Sequence, residues 1–281
     1  MNKFLQTILI VIILTIFAVA AFSSTENQDR PQRIVSLGQS FTEALYALGS
    51  EDKIVGVTTF CNKPPEAQRK PKVASSISVD VEKILTLKPD LVIASPLIDP
   101  KSIKKLRQLG INVHTFPAPR NFEQLCEQYL ELARLLGKEE EARVSIQNAR
   151  EDIERTRAVI TNKVKPSIVV QVGANPLWVA PQDSFINDFI EFAGGENAVP
   201  AGPGNYSREK IIQLDPDIII VTTMGMAGAE EKENWMRYRE LSAVKNGRVY
   251  IFDSDKICSA TPESFAVTLK ELAELIHNDE L

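Results

Sequence analysis

Apolar residues along this chain follow two rhythms that take turns. Runs rich in Val, Ile and Leu at 33–37, 54–58 and 91–95, and the β-branched and aromatic stretch at 112–116, predict strands. Between them, residues 41–48 and 102–109 repeat apolar side chains at helical spacing and predict amphipathic helices. The scheme returns in the second half, with strands expected at 167–172, 218–223 and 248–252 and a closing helix at 262–277. Strands and helices that alternate at this spacing build a largely parallel sheet covered by helices, so the pattern predicts an α/β protein.

One segment occurs twice. Residues 81–95 read VEKILTLKPDLVIAS and residues 208–222 read REKIIQLDPDIIIVT, at a constant offset of 127 positions. The copies share Glu, Lys, Ile, Leu, Pro and Asp, and half of the other pairs exchange one apolar residue for another. Each encodes a short helix, a Pro-Asp stop and a β-branched strand. An internal duplication of this kind implies two related lobes. Between them, residues 138–163 contain neither Gly nor Pro. Glu139 with Arg143 and Glu151 with Arg155 stand at i,i+4, while Ile146, Ala149, Ile153 and Ile160 mark one apolar stripe. This predicts a single connecting helix about 36 Å long at 1.5 Å per residue, where a flexible linker would be rich in Gly, Ser or Pro. The expected organisation is an N-terminal lobe over 31–137, the connecting helix over 138–163 and a C-terminal lobe over 164–281.

The N-terminus is an address. Residues 1–22 carry one charge, Lys3, followed by an apolar run broken only by Gln6, Thr7 and Thr15. Ala18-Val19-Ala20 fits the small-x-small pattern of a cleaved secretory signal, and a run of this length also suits an uncleaved membrane anchor. Both readings put the folded part outside the cytoplasm, in the periplasm or on the outer face of the membrane.

Composition narrows the chemistry. The 281 residues include 32 Lys and Arg against 37 Asp and Glu, a net charge of −5 that offers nucleic acid no general attraction. Only two His occur, so a three-imidazole metal centre cannot be assembled from one chain. Cys61, Cys126 and Cys258 form no C-x-x-C pair, which leaves disulfide and free thiols both open. The G-x-S-x-G, G-x-x-x-x-G-K-[ST] and H-E-x-x-H motifs are absent, and nothing in the sequence favours an enzyme, although an α/β enzyme using the same cleft is the rival from another class.

Open α/β sheets bind ligands beyond the C-terminal ends of their strands. Those ends lead here into Gly38-Gln39-Ser40-Phe41, Thr59-Phe60-Cys61 and Ser95-Pro96 in the first lobe, and into Gly173-Ala174-Asn175, Thr223-Met224-Gly225 and 253–261 in the second. The candidate ligand-binding residues are Gln39, Ser40, Phe41, Phe60, Cys61, Ser95, Asn175, Trp178 and Ser259. Within the duplication, Asp80 and Ser207 are equivalent N-caps, and Glu82 and Glu209 follow at the second helical position. An acid there complements the helix dipole. Two acids at equivalent places on two related lobes also suit a partner with two similar basic pockets, most simply a two-fold dimer.

The ordered set RIVSLGQSFTEALYALG, VGVTTFCNKPPEA, the two duplicated segments, the long helix, SFINDFIEFAGGENAV and AVKNGRVYIF resembles the solute-binding proteins of ABC importers, in the helical-backbone class III group that takes up cobalamin and ferric siderophores. The segments TTFCNKPPEA and VQVGANPLWVAP are most similar to cobalamin-binding members. The resemblance implies two Rossmann-like lobes with central, largely parallel sheets, joined by one long backbone α-helix, with a ligand cleft between lobes. It implies no intrinsic cofactor, a bound corrinoid or ferric chelate, and delivery to an ABC permease dimer with cytoplasmic ATPase subunits, which Glu82 and Glu209 would dock. A ferric siderophore or heme receptor is the alternative within the class. A monomer is expected. The chain departs from the cobalamin pattern where Ser95 replaces a Trp and where Lys256 and Ser259 stand at aromatic and Arg contact positions. Arg120 and Arg208 would restore positive charge if they reach the cleft.

Overall fold

The structure, a computed structural model, describes residues 30–75, 78–222 and 228–277. The N-terminal apolar segment and the loop at 223–225 lie outside the described residues.

The first half forms a five-stranded, wholly parallel sheet in the order β3-β2-β1-β4-β5, from β1 (Ile34–Leu37), β2 (Ile54–Thr58), β3 (Lys72–Ala74), β4 (Leu91–Ala94) and β5 (Val113–Thr115). Its helices are α1 (Gln39–Ala47), α2 (Val81–Thr86), α3 (Pro100–Gln108) and α4 (Phe122–Leu136). Their starts follow local chemistry. Asp80, Asp99 and Asn121 each accept a backbone N–H of the first turn, and Pro100 stands at the first helical position, where its missing N–H costs nothing. Gly137 closes α4 in the left-handed conformation at φ 67°.

After α5 (Glu139–Ile160), the second half builds β6 (Ser167–Ala174), β7 (Leu177–Val179), β8 (Glu196–Asn197), β9 (Ile218–Thr222) and β10 (Val249–Phe252) into a sheet ordered β10-β9-β6-β7, with β8 also on β6. All its pairings are parallel except β6 with β7. Its helices are α6 (Phe185–Phe192), α7 (Arg208–Leu214), α8 (Gly228–Met236), α9 (Ser242–Lys245), α10 (Ser254–Ile257) and α11 (Pro262–His277).

The duplicated segments fold alike, as α2 with β4 and as α7 with β9. Both strands are buried on two faces, and alternate residues enter different cores. Leu91, Ile93, Ile218 and Ile220 point into a central cluster. Val92 and Ala94 join an outer cluster of the first lobe, Ile219 and Val221 one of the second. The central cluster belongs to both lobes, because it also contains Phe122 and Leu132 of α4, Ile146 and Ile153 of α5, and Phe265 and Leu269 of α11. Helix α5 packs along both α4 and α11. Phe265 is fully buried, stacked at 4.0 Å on Phe189 and 4.7 Å from Phe122 of the other lobe.

Candidate functional site

The strand ends of the first sheet converge where its order reverses, between β1 and β4. There Ser95 donates its N–H to Leu37, and a Cβ on Gly38 would stand 2.8 Å from the Phe41 ring and 3.1 Å from Ser95 Cβ. This close approach seats the start of α1, with Gln39 and Ser40, beside Ser95. Ser95 turns its hydroxyl to the Leu97 N–H. Gln39 is nine-tenths buried and its Nε2 has no partner among the described residues. The next loop carries Phe60, which leaves 51% of its surface exposed.

Two candidates fall in the core. Cys61 is fully buried, its Sγ within 3.1 Å of the Thr42 hydroxyl and 3.2 Å of the Thr58 hydroxyl, so it supports the loop from beneath and offers a ligand no surface. Phe41 is 9% exposed and packs on Phe116 with centroids 4.9 Å apart, mainly a core residue under Gln39.

In the second lobe, β6 runs through Gly173 and Ala174 before turning into β7, so this stretch is strand where a loop was expected. Asn175 is exposed in the turn. Trp178 is half-buried, its indole lying on Gly204, where a Cβ would come within 2.4 Å of the ring. Ser259 is half-buried just before α11. Arg208 is engaged elsewhere. It pairs with Glu231 at 2.5 Å and lies 4.7 Å over the Trp235 ring, which withdraws it from ligand recognition. Burial alone would raise the Glu231 carboxyl, but hydrogen bonds from Gln171, Arg208 and Asn234 hold it below its ordinary value. Lys256 is likewise bound to Glu271.

The loops of the two sheets meet at their C-terminal ends. Lys63, at the end of the Phe60 loop, lies 3.5 Å from Asp253, the residue after β10. Glu43 on α1 faces Ser264 and Thr261 at the start of α11, and burial pushes its carboxyl up despite the Lys63 charge nearby. Deeper in the junction, Ser145 of α5 donates to Glu263, and Asp188 of α6 accepts the N–H of Phe122 at 2.7 Å. Sequence reasoning missed Glu43 and Lys63 because their partners lie in the other lobe. A separate depression of about 760 Å³, lined by Ser95, Ile103, Lys104, Arg107 and Phe116 among others, belongs to the first lobe alone.

Glu82 and Glu209 are both exposed at the second position of α2 and α7. The caps match as well: Asp80 accepts from Lys83 N–H and Ser207 from Lys210 N–H. The Glu209 carboxyl is held below its ordinary value by its own backbone N–H and the Ser207 hydroxyl. Both His are engaged within their lobes. His114 lies 3.0 Å from Glu131 and against Phe116, and His277 Nε2 is 3.0 Å from the Ala193 carbonyl. Among the described residues, no cluster of His, Cys, Asp and Glu is placed to hold a metal ion, and no helix is long and apolar enough to cross a membrane.

Two related sheets whose strand-end loops face each other across a common helical layer define a bilobal solute-binding protein. The chain belongs to the periplasmic binding protein family, whose model matches residues 34–256. It is 33% identical over 267 residues to an uncharacterized ABC transporter substrate-binding lipoprotein of Bacillus subtilis, YvrC, covering 90% of this chain and 84% of the relative. Among solved structures it is similar to the periplasmic vitamin B12 binding protein BtuF of Vibrio cholerae, with a TM-score of 0.75 and 26% identity, covering 89% of this chain and 98% of that one. A periplasmic heme binding protein of Pseudomonas aeruginosa gives a TM-score of 0.80 at 25% identity, covering 88% and 93%.

Proposed function

We propose that this chain is the extracytoplasmic receptor of an ABC importer, that it captures a corrinoid between its lobes, and that it delivers this cargo to a permease dimer driven by ATPase subunits. Membership of the family supports the transport role and an extracytoplasmic site of action. The observation that carries the ligand reading is the engagement of both His within their lobes while Phe60 is left half exposed at the strand ends. A corrinoid brings its own coordination shell and asks no imidazole of the receptor, and an exposed aromatic face suits its conjugated ring. The likeness to a vitamin B12 binding protein points the same way.

Heme is the second reading, supported by the likeness to a heme binding protein. Ferric siderophores are the third. The ligand site proposed is Gln39, Ser40, Phe60 and Ser95 from one lobe with Asn175, Trp178 and Ser259 from the other, and Glu82 and Glu209 are proposed to dock the permease. The reading includes no catalytic step.

Calorimetric and absorbance titrations of the purified protein with cyanocobalamin, heme and ferric siderophores test this. One cyanocobalamin per chain is expected, with weaker binding for Phe60→Ala. Failure of all three classes to bind, with turnover of a small substrate, would replace the receptor reading by an enzyme.

A further inference from the structure

Lys63 and Asp253 bring opposite charges from the two lobes to within 3.5 Å. Their side chains keep 36% and 45% of their surface accessible, so they border open space. A charge-assisted hydrogen bond spans about 2.7–2.9 Å, and at the longer distance neither group is saturated by the other. Asp253 is fixed in place, since its Oδ1 accepts the N–H of Asp255 at 2.9 Å while Oδ2 faces Lys63. The ammonium of Lys63 carries three donors.

Gln39 adds a third group. It stands four positions before Glu43 on α1, and residues at that spacing share a helix face. Glu43 looks across the junction at Ser264, Thr261 and the Lys63 charge, so Gln39 occupies the same junction-facing side, one turn closer to the strand ends. Its Nε2 has no partner among the described residues but is itself closed to solvent, so Gln39 borders the site from behind rather than reaching into it.

A donor beside an acceptor complements a primary carboxamide, whose carbonyl accepts and whose NH₂ donates. A carboxylate offers acceptors only and meets Asp253 as a like charge. We propose that Lys63 and Asp253 read a peripheral carboxamide of the cargo, Lys63 donating to its oxygen and Asp253 accepting from its nitrogen. This rests on the corrinoid reading, a corrinoid being a macrocycle fringed with carboxamides, and names the residues that separate an amide-bearing ligand from an acid-bearing one. The acid lacks the NH₂ that Asp253 would accept from and brings a like charge against it, so the pair favours the amide.

The test titrates cyanocobalamin and its monocarboxylic acids, each with one peripheral amide hydrolysed, into the wild-type protein and two variants. The wild type should prefer the parent to at least one acid isomer by about tenfold or more, the scale of an unsatisfied hydrogen bond. Asp253→Asn should narrow that preference to about threefold or less, by removing the like charge while retaining a good N-cap for α10. Lys63→Met should weaken cyanocobalamin by about tenfold, for loss of a charged donor. Circular dichroism confirms that both variants fold. If the wild type binds cyanocobalamin and neither substitution changes affinity or preference, the inference falls and the receptor reading stands. If the wild type binds no corrinoid, both fall.

Discussion

Asp90 and Asp217, equivalent residues of the duplicated segment, perform one task in two lobes. Asp90 accepts the backbone N–H groups of Gln32 and Arg33 at 2.7 and 3.0 Å, where the chain enters β1. Asp217 accepts the N–H and the hydroxyl of Ser167, both at 2.8 Å, where it enters β6. Each carboxylate thus satisfies the first donors of the strand beside its own. Asp217→Ala should cost about 2 kcal/mol, the range for charged hydrogen bonds at a half-buried site. Asp90→Ala, at a more exposed place, should cost less. Urea unfolding of the two variants measures the difference.

The same offset relates Lys88 and Asp215, which adopt φ of 46° and 43° as their helices end. A side chain is disfavoured in this conformation and glycine is not. Lys88→Gly should therefore stabilise the protein by about 1 kcal/mol. Asp215→Gly should show no such gain, because the Asp215 carboxylate accepts from the N–H and hydroxyl of Ser242 at 2.7 and 2.8 Å. Thermal unfolding of the pair checks the contrast.

Glu82 and Glu209 are proposed to act on the importer alone. Their joint replacement by Ala should impair association with the permease reconstituted in nanodiscs and leave cyanocobalamin affinity unchanged. Wild-type association should weaken as salt rises, since exposed charge pairs are screened. Normal docking by the double variant would reduce both residues to helix-dipole partners.

Glu43 should give stability a pH dependence. Burial raises its carboxyl above the ordinary 4.5, so the folded chain holds this proton to a higher pH than the unfolded chain does. The resulting stabilisation is complete below pH 4.5 and is lost as pH rises through the raised value. Glu43→Gln, which never ionises, should gain stability over the wild type at pH 7 and lose that advantage by pH 4. Urea midpoints across this range test the sign.

The fold was legible because its signals are local. Apolar runs marked the central strands, apolar side chains at helical spacing over 102–109 marked α3, and the repeat at 127 positions announced two lobes. Less was legible at the edges. The three residues of β3 carry no alternation long enough to read, and β7 depends on the turn after Ala174, which brings it back on β6. At the site, strand-end logic named loops that the structure brings near one another but could not tell which residues of a loop look up and which look down. Phe60 and Cys61 are adjacent, yet one is half exposed and the other buried. Lys63 with Asp253 and Arg208 with Glu231 are pairings of distant segments, and no spacing in the sequence encodes them.

The central core shared by both lobes also sets how cargo must leave. Phe122 and Phe265 lie in one packed cluster, so swinging the lobes widely apart would tear open buried apolar surface. A packed layer common to both lobes resists emptying by falling open. Under the proposed docking through Glu82 and Glu209, unloading would be mechanical work done from outside, by a partner that holds both lobes at once.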